Sequence, residues 1–190
     1  MDEGEIKMSA TNRGTKRIES DFYATPKDCI QNFINHYGDI NGKVLEPSAG
    51  NGHITEIVKN NGKNTITSLE LREEEIDNLK AISDEVIIGD FLKFKTEDKF
   101  DYIIGNPPYS LAQEFLEKCF EIAYENTKII MLLRTNFLES KKRYDFWQKH
   151  PVNGLYVLSK RPSFTGKGTD ATSYSWFVWG GTDKQTIKII

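Results

Sequence analysis

The chain has 190 residues, of which 38% are hydrophobic and 28% charged, and its formal net charge is −3. This length and composition predict one globular domain with its own core, and no apolar run reaches the roughly 18 residues of a membrane-spanning helix. The polar N-terminus lacks the apolar stretch of a secretory signal, so a cytoplasmic protein is expected. The small negative charge counts weakly against a large basic surface for nucleic acid.

The cysteines and histidines are too scattered along the chain to predict a metal site. Cys29 and Cys119 lie far apart in amphipathic helical stretches and are interpreted as buried thiols. His36, His53 and His150 are not matched with other ligand residues and are interpreted as surface or helix-end side chains. We therefore expect neither a bound metal nor a disulfide framework.

The first 20 residues are polar and without hydrophobic periodicity, which predicts a flexible N-terminal arm (1–20) ahead of one domain (21–190). From residue 26 onward, segments with helical periodicity alternate with short apolar runs that are typical of buried strands. The helical segments are residues 26–37, 53–62, 72–82 and 110–126, the last with Ser110 as its cap. The strand segments are residues 43–46, 64–71, 85–90, 99–106, 127–134, 154–159 and 173–180.

The alternation of strands and helices predicts an α/β fold with a mostly parallel, seven-stranded sheet that helices cover on both faces. The last two strand segments, residues 154–159 and 173–180, have no long helix between them and read as a hairpin-like pair. One strand of the sheet should therefore be antiparallel. This strand distinguishes the predicted fold from a plain dinucleotide-binding fold.

The segment VLEPSAGNGHI, residues 44–54, has the pattern of a strand, a glycine-rich turn and the start of a helix. Gly50 and Gly52 would let the backbone approach a ligand closely, although such turns also occur for structural reasons alone. The third glycine of a dinucleotide-binding turn is absent, since position 55 is threonine. Glu46 at the strand end would repel a pyrophosphate but attract a ligand that carries an ammonium or sulfonium group.

Acidic residues also stand at the ends of the next two strands. Glu70 ends the second strand about 20 residues past the turn, where a carboxylate can accept both hydroxyls of a ribose. Asp90 ends the third strand and precedes Phe91, a pair suited to the amino group and the flat ring of adenine. Together with Glu46, these residues describe a nucleoside with a positively charged tail. S-adenosyl-L-methionine fits that description.

The segment DYIIGNPPYS, residues 101–110, ends the fourth strand with an unusual turn. Pro107 and Pro108 fix two φ angles at about −65° and remove two backbone donors, so the segment is stiff and rich in acceptors. Asn106 and Tyr109 flank the two prolines. Fold stability does not require this combination at the carboxyl end of a strand, which indicates a functional loop.

In this order, the motifs resemble those of the S-adenosylmethionine-dependent amino-methyltransferases, and especially the small phage-type N6-adenine DNA methyltransferases. The likeness extends from Asp21 to Gly180 and rests on FYATP (22–26), EPSAGNG, LEL, GDF, NPPY and RPSFTGKGTDATSYSWFVW (161–179). It implies a single Rossmann-like methyltransferase domain that moves the methyl group of S-adenosyl-L-methionine to the exocyclic N6 amine of adenine in DNA. It implies no metal and no covalent enzyme intermediate.

The resemblance also implies roles for individual residues. The implied cofactor-binding residues are Tyr23, Thr25, Pro26, Glu46, Ser48, Gly50, Gly52, Glu70, Asp90, Phe91 and Asn106. Asn106 and the carbonyl of Pro107 would bind the two hydrogens of the adenine amine and favour its pyramidal form, and with Tyr109 they are the implied catalytic residues. Tyr109 would also stack on a base that has left the duplex, beside Pro108 and with Phe164 as a second wall.

The chain departs from sequence-specific DNA methyltransferases because no insertion is long enough to fold as a separate recognition region. The segments that remain for substrate contacts are residues 135–151 and 160–172. The first contains KKRYDFW, where Lys142 and Arg143 are predicted to contact substrate, although an amphipathic helix with a basic face fits the same pattern. The expected partner is DNA, with RNA as the second choice and no membrane, and the oligomeric state stays open.

Other functions stay open at this point. The same chemistry could act on adenine in RNA or on a glutamine amide of a protein, since both offer a planar NH₂ group. The chain could also bind S-adenosyl-L-methionine without catalysis, although a binding module needs no acceptors directed at an amine. A nicotinamide-dependent oxidoreductase comes last, because the third glycine is missing and NPPY would have no role in it.

Overall fold

The computed structural model describes residues 24–164, 168, 170–181 and 184–190. The predicted N-terminal arm and Tyr23 lie outside these residues. The helices are α1 (Lys27–Tyr37), α2 (His53–Lys59), α3 (Ile76–Ile82), α4 (Ala112–Ile122) and α5 (Tyr144–Lys149). The strands are β1 (Gly42–Glu46), β2 (Asn64–Glu70), β3 (Glu85–Ile88), β4 (Tyr102–Gly105), β5 (Lys128–Arg134), β6 (Gly154–Val157), β7 (Tyr174–Trp179) and β8 (Thr186–Ile189).

These strands form one sheet in the order β3-β2-β1-β4-β5-β7-β6-β8. Strands β1 to β5 pair with one another in parallel, whereas β7 is antiparallel to both β5 and β6, and β8 pairs with β6 in parallel. The strand order reverses between β1 and β4, and a crevice forms at the carboxyl ends of strands at such a point. The predicted α/β class, the mostly parallel sheet and its antiparallel strand are confirmed.

Two local predictions are wrong. The sheet has an eighth strand, β8, in a segment for which the sequence predicted none. The sequence signal was weak, because the alternating apolar residues of this segment are only Ile187 and Ile189. Its extended backbone depends on pairing with the distant β6. Ser110 does not cap α4. It lies inside a short 3-10 turn, Tyr109–Leu111, in which the Leu111 amide donates to the Pro108 carbonyl at 2.9 Å, and the helix begins at Ala112 directly after this turn.

Helices cover both faces of the sheet, as predicted, and a hydrophobic cluster fills each side. Alternate strand residues face opposite sides, so Val44 and Leu45 of β1 belong to different clusters, as do Ile104 and Ile103 of β4. One cluster includes residues of α1 and α2, and the other includes residues of α4 and α5. The central strands β4, β5 and β7 are buried almost throughout and are mostly apolar, as expected for strands covered on both faces.

Helix α1 holds the segment before it close to the strand ends. Pro26 precedes the helix with a φ of −60°, which suits a helix start. Phe33 of this helix stacks on Trp176 of β7, with ring centroids 4.7 Å apart. The buried face of the helix consists of Cys29, Ile30, Phe33 and Ile34. The helix thereby fixes the segment before it, in which the Thr25 hydroxyl accepts from Asn106 directly after β4.

The two cysteines are buried free thiols, as predicted. Burial raises the pKa of Cys29 to about 12 and raises the pKa of Cys119 as well, so both thiols stay protonated. Within the described ranges, no helix is long and apolar enough to cross a membrane. The same ranges contain no group of three or more histidine, cysteine, aspartate or glutamate side chains arranged to hold a metal ion.

Candidate active site

A cavity of about 510 Å³ opens at the carboxyl ends of β1, β2 and β4, where the strand order reverses. Its volume lies in the usual range of small-molecule sites. Most of the cofactor residues implied by the sequence meet in its wall, namely Thr25, Glu46, Ser48, Gly50, Glu70, Asp90, Phe91 and Asn106. Pro26 and Gly52 do not line it. The roles of these residues stay predictions, but their common location agrees with them.

The glycine turn after β1 depends on backbone conformations that favour glycine. Gly50 has a φ of +54°, and its amide donates to the Glu70 carboxylate at 2.7 Å. Gly52 has a φ of +80°, and a Cβ atom there would lie 2.4 Å from Ile82 Cδ1 and 3.1 Å from Leu79 Cδ2. Gly50 therefore faces the cavity, whereas Gly52 lets α2 start close against α3.

Glu46 lies at the buried end of β1 and is only 2% exposed. The Thr55 hydroxyl donates to its carboxylate and also contacts the Ser68 hydroxyl at 2.8 Å. Threonine at position 55 thus has a role that a third glycine could not fill. Burial raises the pKa of Glu46 to about 8, because the hydrogen bonds from Thr55 offset the desolvation only in part and the charge of Glu70 adds to it. A cation bound beside Glu46 would favour its ionised form.

Glu70 is held by donors from both sides. One carboxylate oxygen accepts the Gly50 amide, and the other accepts the Arg72 amide at 3.1 Å and Arg72 Nε at 3.0 Å. Arg72 also contacts the Glu75 carboxylate at 3.2 Å. The carboxylate therefore connects the glycine turn to the end of β2. The hydroxyls of a bound ribose would donate to the same carboxylate oxygens as Gly50 and Arg72 do.

Asp90 and Phe91 form the far wall of the cavity. The Asp90 carboxylate accepts the Leu92 amide at 3.0 Å and pairs with Lys93 Nζ at 3.2 Å. Phe91 is 2% exposed and packs against Phe115 of α4, with ring centroids 5.1 Å apart. An apolar ring beside a fixed carboxylate is the arrangement predicted for an adenine group.

A chain of side chains joins the glycine turn to the loop after β4, and sequence reasoning did not find it. The Asn51 amide nitrogen contacts His53 Nε2 at 3.1 Å, and His53 Nδ1 contacts the Thr25 carbonyl at 2.7 Å. The Thr25 hydroxyl in turn accepts from Asn106 Nδ2 at 3.0 Å. His53 does stand at a helix end, as expected, but its contacts serve the site. The only sequence signal was its place directly after the glycine turn.

The NPPY loop follows β4 at the mouth of the cavity. Asn106 and Pro108 line the cavity, and Pro107 between them is buried. The Ser48 hydroxyl donates to the Asn106 carbonyl at 3.3 Å, so the loop is tied to the glycine turn as well as to Thr25. The loop therefore reaches the cavity with its first residue held on both sides.

Tyr109 is half-buried in an aromatic group beside the cavity rather than in its wall. Its ring lies 5.4 Å from Tyr174 and 6.3 Å from Phe164, centroid to centroid, and the Arg134 guanidinium lies 5.2 Å from its centroid. Tyr109 and Phe164 meet edge to face, with 68° between their planes. The two predicted walls thus contact each other, and a base between them would require both rings to turn.

Lys142 and Arg143, the predicted substrate contacts, lie in the 3-10 turn before α5 and do not line the cavity. Arg143 Nη1 donates to the Glu139 carbonyl at 2.6 Å and to the Phe137 carbonyl at 3.3 Å. Its guanidinium also lies 4.5 Å from the centre of the Phe137 ring. Arg143 therefore stabilises its own loop, whereas Lys142 is exposed.

The family model of the Eco57I restriction-modification methylases matches residues 27–114 of this chain. Type II methyltransferase M.CvrRI of Paramecium bursaria Chlorella virus XZ-6E is 28% identical over 83% of the chain and 53% of its own length. Modification methylase CviBIII of Paramecium bursaria Chlorella virus NC1A is 32% identical over 78% of the chain and 45% of its own length. The ribosomal RNA small subunit methyltransferase A of Mycoplasmopsis synoviae is 22% identical over 83% of the chain and 64% of its own length.

Solved structures of methyltransferases have the same fold. A protein of Pyrococcus horikoshii assigned as an RNA methyltransferase superposes with a TM-score of 0.65 at 20% identity, over 90% of this chain and 88% of the other. A protein of Listeria monocytogenes assigned as a class I S-adenosylmethionine-dependent methyltransferase gives 0.66 at 13% identity, over 93% and 67%. At this identity the likeness concerns the fold alone.

These comparisons confirm the resemblance to DNA methyltransferases and the Rossmann-like methyltransferase fold, and they agree with S-adenosyl-L-methionine as the expected cofactor. The cavity fits this cofactor, because the glycine turn leaves its backbone open and acidic residues surround it at three strand ends. The chain spans about half the length of the two viral relatives and less than two thirds of the third.

Proposed function

We propose that this chain transfers the methyl group of S-adenosyl-L-methionine to the exocyclic N6 amine of adenine in DNA. The observation that carries the proposal is the NPPY loop at the mouth of the cavity, where Asn106 lines the wall and is tied to Thr25 and Ser48. An NH₂ group needs acceptors, and this loop offers a side-chain oxygen and carbonyls on a stiff backbone. The two viral relatives are named as a type II methyltransferase and a modification methylase, and the matching family model is one of restriction-modification methylases, which supports DNA as the substrate.

The chain's own residues would prepare the amine for attack. Asn106 Nδ2 donates to the Thr25 hydroxyl, so the carboxamide is held in one orientation with its oxygen directed away from Thr25. That oxygen and the Pro107 carbonyl would accept the two N–H groups and favour the pyramidal amine. The positive charge that develops on the nitrogen is then stabilised by dipoles that need no rearrangement during the reaction.

The cavity would hold the donor beside this loop. Bound S-adenosyl-L-methionine would supply a methyl group on a sulfonium: as the amine nitrogen bonds to the methyl carbon the S–C bond would break, S-adenosyl-L-homocysteine would leave, and the methylated amine would release one proton to water. Glu46 and Glu70 surround the cavity with acidic groups that favour a cation, and Phe91 supplies an apolar surface for an aromatic ring. Thr25 lines the donor cavity and accepts from Asn106 of the acceptor loop, so it would help to fix the distance between the two reactants.

A base in a duplex would have to leave the stack to reach Asn106. The aromatic group of Tyr109, Phe164 and Tyr174 lies directly beside the NPPY loop and could receive it. Its rings now contact one another, so binding of a base would replace ring-ring contacts by ring-base contacts. Such stacking is worth about 1–3 kcal/mol per base.

Adenine in RNA is a second candidate substrate, because the relative from Mycoplasmopsis synoviae is named for ribosomal RNA. The same NH₂ group and the same loop would serve both substrates. The described loops contain no large region for the recognition of a duplex. Their size therefore does not distinguish DNA from RNA as the substrate.

The test is transfer of labelled methyl groups from S-adenosyl-L-methionine to DNA and to RNA, followed by digestion and identification of the modified nucleoside. We expect N6-methyl-2′-deoxyadenosine, the nucleoside released from methylated DNA, as the main product. Asn106→Ala should lower the turnover rate about 10²–10³-fold, the effect of losing one preorganised hydrogen-bond partner of the transition state. Its affinity for the cofactor should stay close to that of the unchanged protein.

Asn35→Ala is the matched control, because Asn35 is an exposed residue of α1 whose side chain contacts only Gln31 among the described residues. It should leave turnover unchanged. Methylation of cytosine or of RNA alone would overturn the substrate assignment. Normal turnover in Asn106→Ala would overturn the role of the NPPY loop.

A further inference from the structure

Arg134 is a cation at the same sheet edge as the candidate active site, and no part of the proposed chemistry uses it. It is the last residue of β5 and is exposed, whereas the five residues before it are buried. In the sheet it pairs with Tyr174, the first residue of β7. Its guanidinium lies over the Tyr109 ring, 5.2 Å from the centroid, and Tyr109 is the residue that follows the two prolines of NPPY.

The surroundings of Arg134 keep its charge available. Burial acts against the charge, but a hydrogen bond with Tyr174 and the charge of Asp170 outweigh it and raise the pKa of Arg134. The Tyr174 hydroxyl donates to Asp170 at 2.8 Å, so the carboxylate is engaged through the tyrosine. Among the residues that the structure describes, Arg134 forms no direct ion pair, in contrast to Arg72.

The other strand ends around the cavity have the opposite charge. Glu46, Glu70 and Asp90 end or follow β1, β2 and β3 and are suited to a positively charged ligand. A polynucleotide that brings a base to this edge brings phosphates, which a partly exposed carboxylate such as that of Asp90 repels. A cation beside the entry would offset the repulsion at the point where the base leaves its strand.

We infer that Arg134 binds a backbone phosphate of the nucleic acid next to the target base, so that Tyr109 and Arg134 hold the base and its backbone together. The inference rests on the proposed function, because it takes a nucleic acid as the substrate. A guanidinium can bind a phosphate through two parallel hydrogen bonds while its flat face stays on an aromatic ring. Contacts of this kind set position without reading sequence.

Arg134 differs in this respect from the basic residues that the sequence favoured. Arg143 donates to the carbonyls of Phe137 and Glu139 in its own loop. Lys142 is exposed, but it has no contact with the NPPY loop among the described residues. Arg134 is fixed by the sheet and by Tyr109, so its guanidinium is preorganised for a ligand at the loop.

The test compares Arg134→Gln with Lys99→Gln. Lys99 is a matched control, since it is exposed and lies over an aromatic ring, 5.8 Å from the centre of Tyr124, but it stands before β4 at the amino ends of the strands. Binding of an adenine-containing oligonucleotide, single-stranded and duplex, is measured by fluorescence anisotropy over a series of salt concentrations. Cofactor affinity is measured by calorimetry and stability by thermal melting.

We expect Arg134→Gln to bind the oligonucleotide about tenfold more weakly at low salt. The slope of log K against log salt should fall by about 0.9 for duplex or about 0.7 for single-stranded DNA, the effect of one lost phosphate contact. Arg134→Lys should keep most of the slope, because it keeps the charge. Lys99→Gln should match the unchanged protein, and all variants should keep their cofactor affinity.

An unchanged slope in Arg134→Gln would overturn the inference, and so would an equal loss in Lys99→Gln. A fall in melting temperature and cofactor affinity without a change of slope would show that Arg134 only supports Tyr109.

Methyl transfer to the same oligonucleotide separates the two proposals. Transfer with an unchanged slope overturns the phosphate contact alone, salt-dependent binding without transfer overturns the proposed function alone, and absence of binding by the unchanged protein overturns both.

Discussion

The side-chain amide of Asn106 donates to the hydroxyl of Thr25 at 3.0 Å, a contact between residues 81 positions apart in the chain. Thr25 precedes α1, and Asn106 follows β4. His53 holds the Thr25 carbonyl at 2.7 Å from the other side. The segment before α1 therefore sets the orientation of the side chain that is proposed to bind the substrate amine.

Thr25→Val should slow methyl transfer, because valine keeps the shape of threonine and removes the acceptor of Asn106 Nδ2. The carboxamide would then rotate more freely, and its oxygen would point at the amine for less of the time. We expect turnover to fall about fivefold, in line with one lost hydrogen bond of about 1 kcal/mol. Single-turnover kinetics with saturating cofactor measure this step.

Thr25→Ser is the matched control, since serine keeps the hydroxyl, and it should retain most of the turnover. The bond from His53 goes to the backbone carbonyl of Thr25 and is available in both variants. Equal rates in the two variants would show that the hydroxyl does not orient Asn106.

Tyr109→Phe and Tyr109→Ala separate the ring of Tyr109 from its hydroxyl. The ring contacts Phe164, Tyr174 and Arg134, and stacking on a base uses only the ring. Tyr109→Phe should therefore keep kcat/KM within a few-fold. Tyr109→Ala should lower it about 5- to 150-fold, as expected for about 1–3 kcal/mol of stacking.

The measurement is kcat/KM for an adenine-containing oligonucleotide, with cofactor affinity as the internal control. A loss in Tyr109→Phe as large as in Tyr109→Ala would assign the role to the hydroxyl, which lies in the interior close to Asn106. No loss in either variant would remove Tyr109 from the substrate site.

The sheet and the cofactor cavity were predictable because they depend on local patterns. Apolar runs marked the strands, and the acidic residues Glu46, Glu70 and Asp90 marked their carboxyl ends. Parallel strands bring their carboxyl ends to one edge, so residues that end successive strands meet there whatever the loops between them do. The cavity wall follows from this rule.

The features that sequence reasoning missed depend on contacts between distant segments. Strand β8 has only two alternating isoleucines, and its pairing with β6 decides its conformation. The contact of His53 with Thr25 requires α2 and the segment before α1 to meet, and no local periodicity reports it. The self-contacts of Arg143 likewise depend on how its loop turns back on itself.

Glu46 should make both stability and cofactor binding depend on pH. Burial raises its pKa to about 8, so the folded protein holds a proton that the unfolded chain releases at much lower pH. The free energy of unfolding should therefore fall as pH rises toward and through about 8. Affinity for the positively charged cofactor should rise over the same range, because ionised Glu46 attracts a cation and protonated Glu46 does not.

Glu46→Gln should remove both trends, since glutamine keeps the size and a hydrogen-bond acceptor for Thr55 but does not titrate. Melting temperatures and calorimetric affinities for S-adenosyl-L-methionine between about pH 6 and about pH 9 measure the two effects. Glu56→Gln is the matched control, because Glu56 is a partly exposed residue of α2 that pairs with Lys27 outside the cavity. Cofactor affinity that changes with pH equally in Glu46→Gln and in the unchanged protein would mean that Glu46 does not bear the charge that meets the cofactor.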